Sequence, residues 1–137
     1  MAEPLAGASD NGMSNYFARY SPDGRWIVFT QSQSGIMLQT DSRLFIVPSE
    51  GGVAREMRCN QKQFNSWHSW SPNGKWLLFS SKVNSIYTEI LITHIDENGY
   101  DSVPVCLSRF SDRGLAANLP EFVSLDSGNL KNIVLGN

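Results

Sequence analysis

The stretch NYFARYSPDGRWIVFT, residues 15–30, decides the fold, because it returns without gaps as NSWHSWSPNGKWLLFS at residues 65–80. Six of the sixteen positions are identical: Asn15/Asn65, Ser21/Ser71, Pro22/Pro72, Gly24/Gly74, Trp26/Trp76 and Phe29/Phe79. Seven further pairs keep their chemistry, among them Tyr20/Trp70, Asp23/Asn73 and Arg25/Lys75. Self-similarity at an offset of fifty residues marks a repeat architecture, in which one unit cannot bury its apolar surface alone.

The residues of one unit explain its shape. In Ser-Pro-Asp-Gly and Ser-Pro-Asn-Gly, proline presets φ, Asp or Asn tolerates the third turn position, and glycine accepts positive φ. This predicts a hairpin. The strands that follow, Trp26-Ile27-Val28-Phe29 and Trp76-Leu77-Leu78-Phe79, are apolar on both faces, whereas a sheet with one wet face alternates. The similarity continues: Leu44 to Val47 matches Ile90 to Thr93, and Val53 to Met57 matches Val103 to Leu107. Glu50-Gly51-Gly52 and Asp96-Glu97-Asn98-Gly99 supply the second tight turn of each unit. Each unit is thus an antiparallel sheet of four strands covered on both sides. A sandwich covers one face per sheet, so stacked propeller blades are the expected all-β fold.

The expected organisation is a flexible leader over 1–14, blade 1 over 15–64, blade 2 over 65–117 and the start of a third blade over 118–137. In that last segment Asn118-Leu119-Pro120-Glu121-Phe122-Val123 takes the place of the strands beginning at Asn15 and Asn65. The turn after it is degenerate, and at most one more strand, Leu130 to Leu135, follows. Propellers close with about four to eight blades, so two and a fraction leave apolar faces and strand edges unpaired. Self-association is the expected remedy, for example a homo-trimer whose three pairs of blades make six and whose C-terminal strands are exchanged between neighbours.

Bulk properties narrow the partners. Eleven basic against thirteen acidic residues give a net charge of −2, with neither sign gathered into a run, so nucleic acid is not an expected partner. The longest apolar stretches fall far short of the roughly 20 residues that cross a bilayer, so membrane insertion is not expected either. The N-terminus lacks the basic start and apolar core of a secretion signal. Cys59 and Cys106 permit one disulfide, but nothing in their spacing requires it, and free thiols are expected.

The turn Ser-Pro-Asp-Gly followed by Arg-Trp-Ile-Val-Phe, and later Leu-Phe-Ile-Val-Pro-Ser-Glu-Gly-Gly, resembles blades of the TolB-like six-bladed β-propeller family. The match covers about residues 15–123. The stretches at 65–74 and 116–123 look like the C-terminal end of longer bacterial members, which implies a terminal fragment of a complete propeller. The resemblance implies a periplasmic or exported protein that binds other proteins through its loops and channel mouth.

Chemistry is sparse. His68 and His94 are the two histidines, no His or Cys pair has zinc spacing, and there is neither a Gly-x-Ser-x-Gly elbow nor a phosphate-cradling loop. No metal, no cofactor and no catalysis are expected. Asp96 and Glu97 fall in a predicted turn, the ordinary place for solvated carboxylates. Family geometry makes the first strand of each unit innermost, so polar residues there are the channel-facing, ligand-binding candidates: Asn15, Arg19, Asn65, His68, Asn118 and Glu121. The asparagines have a second reading, in which they bridge the strand's start to the backbone. The expected function is a non-catalytic binding scaffold accepting a peptide, protein or small polar ligand. The alternative is a fragment of a propeller lyase or hydrolase with an axial active site.

Overall fold

The computed structural model describes residues 3–35, 37–111 and 114–124. Both Ser-Pro turns are closed by the same bonds. The Gly24 amide donates to Ser21 O at 2.9 Å and the Ser21 amide to Trp26 O at 2.8 Å, and Gly74 and Ser71 repeat these at 2.9 and 2.8 Å. One serine hydroxyl then serves twice. Ser21 Oγ donates to Asp23 Oδ1 at 2.6 Å while accepting the Trp26 amide at 3.0 Å, and Ser71 treats Asn73 Oδ1 and the Trp76 amide alike, at 2.7 and 2.9 Å. Gly24 and Gly74 sit at φ +74° and +68°, where a Cβ would be strained. The Ser21 hydroxyl, followed by the Arg25 guanidinium, brings the Asp23 carboxyl down to about 2.

The turns join strands into two sheets. Strands β1 (Ser14–Tyr20), β2 (Trp26–Ser32), β3 (Arg43–Pro48) and β4 (Arg55–Glu56) pair antiparallel in chain order as blade 1. Strands β5 (Asn65–Trp70), β6 (Trp76–Ser81), β7 (Glu89–His94) and β8 (Val105–Cys106) form blade 2 in the same order. A 3-10 turn spans Ser108–Phe110. Registers correspond across the repeat: Val28 faces Ile46 and Phe29 faces Phe45, as Leu78 faces Ile92 and Phe79 faces Leu91.

Strand periodicity sends alternate side chains to opposite faces. On one face of blade 1, Val28, Leu44, Ile46, Met57 and Cys59 meet Leu77, Phe79, Leu91 and Ile95 of blade 2 in the main core. On its other face Ile27, Phe29 and Val47 form a second cluster. The residues ahead of β1, read as a leader, lie against this second cluster through Leu5 and Ala8. Each large apolar side chain removed from water contributes about 1.5–3 kcal/mol, so the seam between blades carries most of the stabilisation.

Polar bonds lock the same seam. The Asn65 amide donates to Ser42 O at 3.2 Å, Arg25 Nη1 to Glu97 O at 3.1 Å and Arg55 Nη2 to Gly99 O at 3.0 Å. The Arg55 guanidinium also lies 4.4 Å from the centre of the Tyr100 ring. Cys59 and Cys106 are both free thiols; burial pushes the Cys59 thiol well above its ordinary value.

Residues 114–124 make no strand ladder but touch blade 2 where β5 touches blade 1. The Ala117 amide donates to Thr88 O at 2.9 Å, and Ser80 Oγ donates to Asn118 O at 2.7 Å. In blade 1 the corresponding Thr30 hydroxyl meets Ser66 Oγ at 3.2 Å. The degenerate turn and the last strand expected beyond residue 124 lie outside the described residues. Among the described residues, no helix is long and apolar enough to cross a membrane.

Candidate functional site

β1 and β5 lie side by side, and both are broken by the same irregularity. Pairing slips between Tyr16 and Arg19 in β1 and between Ser66 and Ser69 in β5. At each slip an aromatic residue adopts positive φ: Phe17 at +55° and Trp67 at +47°. Backbone of this kind costs on the order of 1 kcal/mol or more per residue and persists only where its surroundings impose it. Such a bulge re-aims the side chains beside it. Phe17, Arg19, Trp67 and His68 consequently converge with Leu119, Pro120 and Glu121 on a cleft of about 110 Å³.

The polar groups of the cleft hold one another. Arg19 Nη2 lies 3.1 Å from Glu121 Oε1, both side chains being about half exposed. Ser69 Oγ donates to Glu121 Oε2 at 2.9 Å and accepts the Phe122 amide at 3.3 Å. His68 Nε2 is 2.9 Å from Val28 O, and since a carbonyl only accepts, this nitrogen carries the proton. His68 Nδ1 is then a buried lone pair with no hydrogen-bond partner. Burial brings the imidazole down to about 4, and the Arg19 charge acts in the same direction against the Val28 carbonyl. At neutral pH the cleft therefore presents an ion pair and two aromatic walls over a buried, neutral imidazole. That set can recognise polar groups.

Of the six sequence candidates, Arg19, His68 and Glu121 meet at the cleft, and the three asparagines do not. Asn65 is 0 % exposed; its Oδ1 accepts the Gln61 amide at 2.8 Å and its Nδ2 donates to Gln61 O at 2.9 Å. It therefore bridges backbone at the strand's start, which corrects its placement among channel-facing residues. Asn118 is exposed; its Oδ1 accepts the Thr88 hydroxyl at 2.5 Å, and its side chain does not line the cleft. Asn15 accepts from Gln31 Nε2 at 2.9 Å. Sequence reasoning missed Phe17 and Trp67, although both are aromatic and fall fifty residues apart within the repeat.

A wider notch of about 410 Å³ separates the two Ser-Pro turns, lined among others by Arg25, Lys75, Asp96 and Glu97. Its charges alternate in sign, and it gathers none of the strained backbone found at the cleft. Among the described residues, no group of three or more His, Cys, Asp or Glu side chains converges as a metal site.

Two blades of four antiparallel strands, stacked face to face and carrying the same inner bulge, define part of a β-propeller. The solved structure of TolB from Acinetobacter baumannii is similar, with a TM-score of 0.54 and 20 % sequence identity over 74 % of this chain. The chain spans 23 % of that protein's length, and the likeness establishes a TolB-like fold. No protein-family model matches the chain, and no curated protein matches it in sequence.

Proposed function

We propose that this chain is a non-catalytic binding scaffold of the TolB-like propeller type whose blades are completed by further blades. The observation that carries the reading is the unequal cover of two equivalent surfaces. In blade 1, Val28, Leu44 and Ile46 are each 0 % exposed because blade 2 sits on them, and Trp26 lies beneath Gly99. The same face of blade 2 carries Trp76, Leu78, Ile92 and Val105; Leu78 is 9 % exposed and Ile92 half-buried, but Trp76 is 41 % and Val105 61 % exposed. An apolar face built to the same plan as a covered one calls for another blade.

Copies of this chain are the simplest source, three of which supply six blades. The completed ring would set the first strands of the blades around its axis, with the cleft of Arg19, His68 and Glu121 at the channel. A protein or peptide segment is the ligand class that fits an ion pair flanked by Phe17 and Trp67, and family resemblance adds a periplasmic setting. Light scattering tests the assembly: the expected mass is three times the 15.3 kDa of one chain. A well-folded monomer at every concentration sinks the reading.

A further inference from the structure

The outer face of blade 1 is not open like that of blade 2, because its own chain lies on it. Leu5 and Ala8 pack on the Ile27, Phe29 and Val47 cluster, and the Gly52 amide donates to Ala6 O at 3.1 Å. The position of this segment follows from the repeat. Gly51 and Gly99 close equivalent turns, donating to Pro48 O and Asp96 O at 2.9 and 3.0 Å. In blade 2 a methyl added to Gly99 would stand 2.9 Å from the Trp26 ring of the blade before it. In blade 1 a methyl added to Gly51 would stand 3.3 Å from Ala6 Cβ. Residues 5–8 thus occupy, on blade 1, the place that a preceding blade's tryptophan takes on blade 2.

We propose that residues 5–8 are an autoinhibitory strap that occupies the blade 1 face needed to receive the Trp76 face of a second copy of this chain. The inference rests on the reading that the chain associates through its blades, and adds what restrains that association. The competition favours exchange on area grounds. The strap offers one leucine and two alanines, whereas the Trp76 face offers a whole blade surface, and apolar stabilisation scales with area removed from water. Being part of the same chain, the strap wins at low concentration and yields as concentration rises.

Gly7 provides the lever. It sits at φ +88°, and a Cβ there would collide with Gly52 O and stand 3.0 Å from the Ala54 amide nitrogen. Backbone on both sides leaves no flexible atom to give way, so Gly7→Ala ejects the strap with a single methyl group. Sedimentation velocity over a concentration series should show Gly7→Ala associating at about tenfold lower concentration than the wild type, a factor within reach of one leucine-sized contact. Adding Trp76→Glu to Gly7→Ala should abolish that gain. If the wild type associates and folded Gly7→Ala associates no more readily, the strap inference falls while the association reading stands. If both remain monomeric throughout, the association reading falls and takes the strap with it. Hydrogen exchange on the wild type decides the matter without a variant. The Ala8 amide, which donates to Leu5 O at 3.1 Å, should exchange faster in the assembly than in dilute monomer. Unchanged protection of Ala8 on assembly overturns the proposal.

Discussion

β1 and β5 share their bulge, their turn and much of their sequence, yet they sit in different surroundings. From Phe17 to Tyr20, β1 is exposed, whereas β5 is buried except at Trp67 and Trp70, which are half-buried. The backbone of both strands nevertheless takes the same path, down to positive φ at equivalent aromatic residues. Burial is set by neighbours: β5 has blade 1 on one side and residues 117–122 on the other. The lesson is that a propeller blade is a local design whose energy is realised only in company.

The sharpest way to test that difference is to remove equivalent phenylalanines. Phe79 faces the seam between blades and Phe29 faces the strap, at 0 % and 1 % exposure. Phe79→Ala should cost about 4–5 kcal/mol and Phe29→Ala about 3 kcal/mol, read by chemical denaturation, because the strap can relax into a cavity that a sheet cannot. Equal losses would mean that the strap packs as firmly as a blade.

A smaller effect separates His68 from Ala18, its counterpart in the repeat. The folded imidazole titrates at about 4, below its ordinary value of 6.5, so the unfolded chain binds the proton more readily. The stabilisation is complete above pH 6.5 and is lost as pH falls through about 4, a total of about 3 kcal/mol. Denaturation midpoints of the wild type against His68→Gln between pH 7 and pH 4 should converge as the pH drops. Parallel curves would show that His68 does not titrate in the seam.

The smallest effect belongs to the exposed pair. Arg19→Ala should change stability by less than about 0.5 kcal/mol, since both partners are about half exposed and water screens their attraction. A larger loss in the same denaturation experiment would mean that the cleft is closed off from solvent.

Much of this arrangement is legible in the residues. Ser-Pro-Asp-Gly carries its turn in its own bonds, and Ile27, Val28 and Phe29 demand cover on both faces whatever provides it. The cleft is half legible: Arg19, His68 and Glu121 are polar residues of the first strands, which the family resemblance makes innermost, but positive φ at Phe17 and Trp67 leaves no trace in residue type. Asn65 and Asn118 are ambiguous in a sequence because an amide bridges backbone as readily as it meets a ligand. Leu5 and Ala8 were invisible as packing residues, standing among glycine and small polar neighbours with no periodicity to point at a sheet.

The buried Asp101 carboxylate accepts the Cys59 amide at 2.5 Å, and it is delivered by the connection over 95–104. Blade 1 makes its corresponding connection over 49–54, which is shorter and holds no aspartate. The joint between these blades is therefore directional, with a tenon on one member and a mortise on the other. A second copy whose blade 1 met the Trp76 face would bring no aspartate to that joint, so a ring of such chains would alternate keyed and unkeyed joints and would come apart at the unkeyed ones first.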